Sequence, residues 1–278
     1  MQSHKYPMKI IRLPTDYDNY IWIIRSDNPE QKQAWVVDPG ESKRVIPYFQ
    51  LHRLTLAGIL LTHHHYDHTD GIPAILKALG DAPVVSNPRG PFKQVTQPVL
   101  GGDTVDVLGE TFEVIETPGH THEHIVFYHP QALFSGDVLF TGGCGKAWSM
   151  SPKPMAESLL KLRALNDDCE VYCGHEYTMA NINFAAIVEP ENQDIKKRQQ
   201  EVTAKTLEGI PCVPAKLGIE KQTNPFLRFD EENMKENLIK RQQSFYNFEL
   251  KSYANLYATL RSWKDSLDKT GILESFNT

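Results

Sequence analysis

The sequence predicts an α/β fold over residues 1–175, followed by a helical domain over residues 176–278. In the first region, short apolar runs broken by Gly, Pro and Asp alternate with amphipathic segments, a pattern typical of α/β layers. In the second region the residues are polar and favour helices, and strand patterns are almost absent. The change in character after His175 therefore predicts the domain boundary.

Short apolar segments bounded by turn residues predict the strands. Residues 56–61 form a continuous apolar run, which is typical of a strand covered on both faces. Gly109 and Glu110 separate two other apolar segments and predict a hairpin turn. The predicted strands are residues 9–13, 20–25, 34–37, 56–61, 105–108, 111–115, 125–128, 132–134 and 170–172.

Apolar residues at helical spacing predict the helices. Residues 71–79 carry apolar side chains at i, i+3, i+4 and i+7, and Gly80 predicts the end of that helix. Residues 151–165 begin with prolines, which are favoured in the first turn of a helix. In the C-terminal region, helices are predicted over residues 191–207, 230–239 and 249–264.

The composition excludes several classes of protein. The chain has 29 Lys and Arg residues and 35 Asp and Glu residues, which give a net charge of −6. It therefore lacks the excess of basic residues that binding to nucleic-acid phosphates usually requires. The four cysteines form no CxxC pair and are too few for a disulfide framework, which favours a reducing compartment. Residues 1–14 lack the apolar core of a signal peptide, and the longest apolar run is far shorter than a membrane span. We therefore expect a cytoplasmic protein without a nucleic-acid or membrane partner.

A cluster of histidines follows the predicted buried strand. Four histidines and one aspartate lie within the six residues from His63 to His68, in a strand-end loop where α/β folds place their chemistry. Imidazole and carboxylate groups together suit zinc, iron or manganese. The alternative for this segment alone is a solvated, histidine-rich loop.

Three later residues at the ends of predicted strands add metal-binding side chains. His120, Asp137 and His175 each follow an apolar strand segment closely. Any one of them alone is more often a turn residue or a buried core histidine. Their joint placement at strand ends, together with the histidine cluster, predicts a metal centre.

The HxHxDH pattern over residues 63–68 resembles the signature of the metallo-β-lactamase superfamily, and the three later residues match its remaining ligand positions in order. This resemblance implies an αββα metallo-β-lactamase-type sandwich with a dinuclear site at one edge. We expect two divalent ions, with zinc preferred and iron or manganese as alternatives. The resemblance implies that one ion is held by His63, His65 and His120, the other by Asp67, His68 and His175, and that Asp137 bridges them.

The same resemblance implies hydrolysis without a side-chain nucleophile. Two dications about 3.5–4 Å apart share a water and lower its pKa toward neutrality, which gives a metal-bound hydroxide. The catalytic residues are then Asp137, Asp67 and His68, which act through that hydroxide. The sequence agrees, because it lacks a GxSxG elbow and no positional pattern supports Cys144 as a nucleophile.

Short motifs along the chain resemble the glyoxalase II family, the hydroxyacylglutathione hydrolases. They are GCGK over residues 143–146, HEYT over residues 175–178, NPFLR over residues 224–228 and RxxK over residues 261–264. The resemblance implies hydrolysis of S-D-lactoylglutathione to D-lactate and glutathione, a step of methylglyoxal detoxification, by a monomer. The alternatives are a lactonase or other thioesterase, a persulfide dioxygenase, and a non-catalytic metal- or glutathione-binding protein.

Glutathione carries carboxylates, so its binding site requires fixed cations. Arg261 and Lys264 lie three residues apart on a predicted helix and share one face, and the resemblance assigns them to an anion clamp. Trp148 occupies a position where the family usually has an aromatic residue, and its indole N–H can donate a hydrogen bond. The implied substrate-binding residues are Lys146, Trp148, Tyr177, Arg261 and Lys264.

Residues next to the predicted ligands have weaker interpretations. His64 should point away from the ligands on either side of it, and the resemblance assigns no ligation to His122 or His124. Asp38 either orients a ligand histidine or forms a turn. Glu123 stands where the family often has a glycine.

Overall fold

The computed structural model describes residues 7–147, 151–243 and 252–274, which pack as two compact units. The first unit comprises Met1–Glu116, His122–His129 and Leu133–Gly136, and the second comprises Thr117–Thr121, Pro130–Ala132 and Asp137–Thr278. The chain therefore passes between the units more than once before Asp137.

Six strands form one sheet of the first unit, in the order of the chain: β1 (Met8–Pro14), β2 (Tyr20–Ser26), β3 (Gln33–Val37), β4 (Thr55–Leu60), β5 (Val84–Ser86) and β6 (Gln97–Pro98). Strands β1 to β3 pair antiparallel, and β3 to β6 pair in parallel. The continuous apolar run predicted as a covered strand is β4, and its last three residues are buried. The short strands β5 and β6 were not predicted.

Three helices belong to the same unit: α1 (Val45–His52), α2 (Tyr66–Thr69) and α3 (Ile72–Leu79). Helix α3 confirms the predicted helix, and Gly80 follows it with a positive φ of 100°. Helix α1 was not predicted. Only Val45 and Phe49 of its eight residues are buried, and two positions are too few to show a helical period of apolar residues.

Four more strands follow, all in the first unit except for Ala132 at the start of the last: β7 (Thr104–Val107), β8 (Glu110–Glu116), β9 (Ile125–His129) and β10 (Ala132–Gly136), with the sheet order β10-β9-β8-β7. The hairpin between β7 and β8 turns at Leu108 and Gly109, whose φ values are 60° and 85°. Two left-handed residues are what a two-residue hairpin loop of type I′ requires. The turn therefore lies one residue earlier than predicted, and Glu110 begins β8.

Apolar side chains from the first sheet, α1 and α3 form a continuous core. Ile21, Ile23, Phe49, Ile59 and Ile75 are among its fully buried members. Burial of this apolar surface is the main free-energy gain that orders the sheet. It also holds the end of β4, from which the histidine-rich loop departs.

The second unit holds short strands and most of the helices. Strands β11 (Leu139–Phe140) and β12 (Gly143–Cys144) pair antiparallel, as do β13 (Glu170–Cys173) and β14 (Ala215–Lys216). The helices are α4 (Pro152–Arg163), α5 (Thr178–Val188), α6 (Gln193–Leu207), α7 (Leu217–Thr223), a 3₁₀ helix (Pro225–Leu227), α8 (Glu232–Gln243) and α9 (Tyr253–Asp268).

Helices α4, α6, α8 and α9 correspond to the four predicted in this region. Helix α9 ends at Asp268, beyond the predicted end, and the predicted start at residues 249–251 lies outside the described residues. Helix α5 was not predicted, because its buried residues include polar ones and lie on most of its circumference. None of the described helices is both long enough and apolar enough to cross a bilayer.

Candidate metal centre

The first unit carries the HxHxDH segment in the loop after β4 and in α2. His63 and His68 are buried, and their ring centroids lie 4.2 Å apart. The rings of His63 and His65 have centroids 4.8 Å apart, and Oδ2 of Asp67 lies 3.7 Å from Nε2 of His68. The four predicted ligands of this unit therefore form one side-chain cluster.

Two glycines let this loop lie close to the segment after β3. A Cβ atom on Gly40 would lie 1.8 Å from the carbonyl oxygen of Asp67. A Cβ atom on Gly71 would lie 2.5 Å from the carbonyl oxygen of Pro39, which accepts a hydrogen bond from the Gly71 backbone N–H at 3.0 Å. A side chain at either position would push the loop away from Asp38, so glycine is required here.

Asp38 accepts hydrogen bonds from two residues of the loop. Its Oδ1 accepts from the Thr62 backbone N–H at 2.8 Å, and its Oδ2 accepts from the Thr62 hydroxyl at 2.7 Å and contacts Nδ1 of His68 at 3.1 Å. Nδ1 of His68 then carries the proton, which leaves Nε2 as the metal-binding atom. The candidate ligand atoms of Asp38, His63 and His68 lie within 4.8 Å of one another. Because both Asp38 oxygens accept hydrogen bonds, we interpret Asp38 as an orienting residue.

Two residues without an assigned role also contact the loop. Nδ2 of Asn19 donates to Oδ2 of Asp67 at 2.9 Å. The buried Glu123 accepts a hydrogen bond from the His64 backbone N–H at 3.2 Å, and its Oε1 lies 2.5 Å from Nδ1 of His64. His64 thus faces Glu123. Sequence reasoning missed both contacts, because each joins residues 48 or 59 positions apart.

The two histidines that follow His120 closely differ in environment. His124 is fully buried and stacks on His63, with ring centroids 5.0 Å apart and an interplanar angle of 27°. A Cβ atom on Gly136 would lie 2.8 Å from Nε2 of His124, so the ring fills the space above a glycine. His122 is exposed. His124 therefore packs against a predicted ligand, and His122 does not share that burial.

The second unit brings its three predicted ligands together. His120, Asp137 and His175 are all buried. Oδ2 of Asp137 lies 3.6 Å from Nε2 of His120 and 3.2 Å from Nε2 of His175. Nδ1 of His120 donates to the carbonyl oxygen of Lys146 at 2.9 Å, which leaves Nε2 as the ligand atom. One carboxylate thus stands between two imidazoles.

The donor sets of both clusters fit divalent metal ions. Imidazole nitrogens and carboxylate oxygens are borderline ligands that zinc, iron and manganese accept. In each cluster one ring has its other nitrogen engaged, His68 by Asp38 and His120 by a backbone carbonyl, as metal-ligating histidines require. The histidine and aspartate clusters therefore support binding of a dinuclear metal centre.

The predicted substrate-binding residues have different environments. The Lys146 side chain is exposed, and the Tyr177 ring stacks on His175 with centroids 4.8 Å apart and an interplanar angle of 7°. Arg261 and Lys264 are both buried on α9. Trp148 lies outside the described residues.

Carboxylates on the same helix already neutralise the predicted anion clamp. Nη2 of Arg261 lies 2.9 Å from Asp265 and 3.2 Å from Asp268, and Nζ of Lys264 lies 2.8 Å from Asp268. Burial, followed by the neighbouring Arg261 charge, lowers the pKa of the Lys264 ammonium. A bound carboxylate would therefore share these cations with Asp268.

The environment of Cys144 agrees with hydrolysis that uses no thiol nucleophile. Burial raises the pKa of the Cys144 thiol to about 11, so the thiol is neutral at pH 7. Cys169, Cys173 and Cys212 are also buried free thiols.

Comparisons with known families match almost the whole chain. Residues 14–175 match the metallo-beta-lactamase superfamily, and residues 176–267 match the family described as hydroxyacylglutathione hydrolase C-terminus. A hydroxyacylglutathione hydrolase of Hydrogenovibrio crunogenus is 63% identical over 268 residues, which cover 96% of this chain and 98% of that protein. The corresponding protein of Pseudoalteromonas translucida is 44% identical over 223 residues, which cover 80% of this chain and 86% of the relative.

Solved structures share the fold. The crystal structure of ETHE1 from Myxococcus xanthus covers 93% of this chain and 99% of its own, with a TM-score of 0.62 and 23% sequence identity. At that identity the likeness concerns the fold alone. Together with the superfamily match, it confirms the predicted metallo-β-lactamase-type α/β fold with a C-terminal helical region.

Proposed function

This chain belongs to the hydroxyacylglutathione hydrolase family of the metallo-β-lactamase superfamily, and from that premise we propose how its residues carry out the reaction. The chain is a metal-dependent hydrolase that cleaves S-D-lactoylglutathione to D-lactate and glutathione, the glyoxalase II step of methylglyoxal detoxification. The observation that carries this conclusion is the 63% identity over 96% of the chain.

The metal ligands are the seven residues of the two clusters. Each cluster offers imidazole and carboxylate groups, and the match over residues 14–175 supports the ligand order of that superfamily. We propose zinc as the resident metal, with iron and manganese as alternatives that metal analysis of the purified protein will separate. The ligands are His63, His65 and His120 for one ion, Asp67, His68 and His175 for the other, and Asp137 for both.

The seven ligands would hold two divalent ions, which would supply Lewis-acid activation of the thioester carbonyl and of water. Asp137 supplies negative charge between two imidazoles, so it balances the charge of two nearby cations. Asp38 orients His68, and Asn19 donates a hydrogen bond to Asp67. These contacts hold the other two predicted catalytic side chains in place. A thiol has a pKa of about 8.5, so the departing glutathione sulfur needs no residue to protonate it.

Glutathione binding is assigned to the second unit. Lys146 and Tyr177 follow two of its predicted ligands, Asp137 and His175, closely in the sequence, and the buried Lys264 lies on α9 with its partner Arg261. Trp148 keeps its proposed place in this set because of its position two residues after Lys146. These residues supply the fixed cations and aromatic surfaces that a peptide with free carboxylates requires.

We further propose that residues 1–175 carry the metal chemistry and residues 176–278 the glutathione-binding helices. The two family matches meet at residues 175 and 176, which supports this division. The net charge of −6 disfavours a nucleic-acid partner, and the four free cysteines favour a reducing compartment such as the cytoplasm. A monomer without a membrane partner is proposed from the family resemblance.

Thiol release from S-D-lactoylglutathione by the purified protein tests the function. We expect rapid release that a strong chelator abolishes and that added zinc, iron or manganese restores, because the reaction depends on bound metal. The control substrates are a lactone and a thioester that lacks the glutathione carboxylates. The proposal would be contradicted if the protein hydrolysed the lactone faster than S-D-lactoylglutathione, or if activity survived complete metal removal.

Replacing Lys264 with methionine should raise KM for S-D-lactoylglutathione about tenfold and leave kcat within about twofold. The methionine keeps the apolar stem, and the lost charge–carboxylate hydrogen bond has a free energy of roughly 1.5–3 kcal/mol. Lys269→Met is the matched control, because Lys269 is exposed just after α9. A fall in kcat at unchanged KM would show that Lys264 does not bind the substrate.

A further inference from the structure

The segment from Asp137 to Lys146, here called the 137–146 hairpin, links two parts of the proposed site. It begins at the predicted shared metal ligand and ends at a predicted substrate cation. Its strands β11 and β12 turn at Thr141 and Gly142, where Gly142 has a φ of 71°. Gly145 N–H donates to the Val138 carbonyl at 3.4 Å and continues the pairing. The shape of this hairpin therefore sets the positions of Asp137 and Lys146 relative to each other.

Side chains from helical segments bind the backbone of this hairpin at consecutive residues. Nδ2 of Asn224 donates to the carbonyl oxygens of Phe140 at 3.2 Å and Gly143 at 3.0 Å. Nδ2 of Asn181 donates to the carbonyl oxygen of Thr141 at 3.0 Å. The tip of the hairpin is thus held by amides on the helical side of the chain.

Two further side chains complete this set. Oε2 of Glu220 accepts a hydrogen bond from the Gly142 backbone N–H at 2.7 Å, and Nη1 of Arg261 donates to the Cys144 carbonyl oxygen at 3.2 Å. Each residue from 140 to 144 therefore has a backbone group bound by a side chain of the C-terminal region. Such bonds replace the water that a surface hairpin would bind.

The glycines of the hairpin permit this close approach. A Cβ atom on Gly143 would lie 2.5 Å from Cγ of Asn181, and one on Gly142 would lie 2.6 Å from Cδ1 of Ile182. A Cβ atom on Gly145 would lie 1.9 Å from the carbonyl oxygen of Asp137. The glycines therefore allow neighbouring side chains and backbone to lie directly against the hairpin.

Glu220 is the centre of this arrangement. Its side chain is fully buried, and its Oε2 also accepts from Nδ2 of Asn224 at 3.2 Å. Its Oε1 is bound by Arg198, which also donates to the hydroxyl of Thr223. One buried carboxylate thus aligns the Asn224 amide and the Gly142 N–H at the same time, with its charge balanced by Arg198.

We propose that Glu220 is a positioning residue for the reaction: through Gly142 and Asn224 it holds the 137–146 hairpin in the shape that places Asp137 for metal binding and Lys146 for substrate binding. This inference rests on the proposed function for the roles of Asp137 and Lys146. It assigns the NPFLR segment a part in that function, because Asn224 opens it.

The test compares Glu220→Gln with Glu189→Gln in the metal-loaded full chain. Glu189 is a buried carboxylate in the same unit and pairs with the buried Arg228 at 2.9 Å, so it is a matched ion-pair control. Both variants should lower Tm. We expect Glu220→Gln alone to increase metal loss to a competing chelator, and to lower kcat, by about tenfold to a hundredfold. Glu189→Gln should stay within about twofold of the wild type in both.

Equal metal retention and equal kcat in the two variants would overturn the proposal, because a purely structural role predicts parallel losses.

If Glu220→Gln does not fold, the Asn224→Asp variant tests the proposal instead. This variant keeps the Oδ1 that accepts from the Phe226 N–H, but it turns a second oxygen toward the Phe140 and Gly143 carbonyls. Wild-type metal retention in Asn224→Asp would also overturn the proposal. Metal retention needs no substrate, so failure of thioester hydrolysis alone contradicts the function and leaves this inference testable.

Discussion

Replacing Asp137 with asparagine should lower kcat by about 10²–10³-fold, the range for loss of one preorganised electrostatic group. Its Oδ2 lies between Nε2 of His120 and Nε2 of His175, at 3.6 Å and 3.2 Å. An amide at that position has no net charge and a single acceptor oxygen, so it balances two cations poorly. The measurement is kcat for S-D-lactoylglutathione together with metal ions per chain, which should fall from two to one or fewer.

Asp103→Asn controls for the same chemical change elsewhere. Asp103 is exposed in a turn, where its Oδ2 accepts from the Leu100 backbone N–H at 2.7 Å. Its kcat and metal content should match the wild type. An Asp137→Asn protein that retains two ions and near wild-type turnover would exclude Asp137 as the shared ligand.

Replacing Asp38 with asparagine should lower metal affinity and kcat by about tenfold to a hundredfold. The buried Asp38 carboxylate contacts Nδ1 of His68 at 3.1 Å and also binds Thr62. An asparagine amide can donate to Nδ1, which moves the imidazole proton to Nε2 and removes the lone pair that a metal needs. The readouts are kcat and the metal dissociation constant from chelator competition.

The backbone at Asp38 makes this substitution informative. Asp38 has a φ of 49°, a left-handed conformation that asparagine also adopts readily. The exchange therefore changes the hydrogen bonds and keeps the turn. Asp106→Asn, at an exposed residue of β7 that accepts from the Gly109 N–H, is the matched control. Unchanged metal affinity in Asp38→Asn would show that Asp38 does not orient His68.

Much of the fold follows from local patterns. The period of apolar residues predicted α3 and its end at Gly80, and the continuous apolar run predicted β4, because each pattern records which faces the core covers. Helix α5 was missed, because burial on most sides erases the period. The β7–β8 turn was placed one residue late, because Leu108 adopts a left-handed conformation that its residue type does not predict.

The sequence by itself determined which metal-binding side chains are available and where they lie along the chain. Histidines and an aspartate at fixed short spacings after a strand can be recognised without coordinates, because neighbouring residues in the sequence determine both the ligand types and their local spacing. The same holds for the cations Arg261 and Lys264, whose three-residue spacing places them on one helical face.

Only the tertiary structure decided which side chains hold these groups in place. Asn19 reaches Asp67 across 48 residues, and Glu220 reaches Gly142 across 78. It also decided that Arg261 donates to the Cys144 carbonyl oxygen, 117 positions away in the chain. The physical reason is that a buried polar group is satisfied by whichever partner the packing brings near, and a pairing between distant residues leaves no local pattern in the sequence.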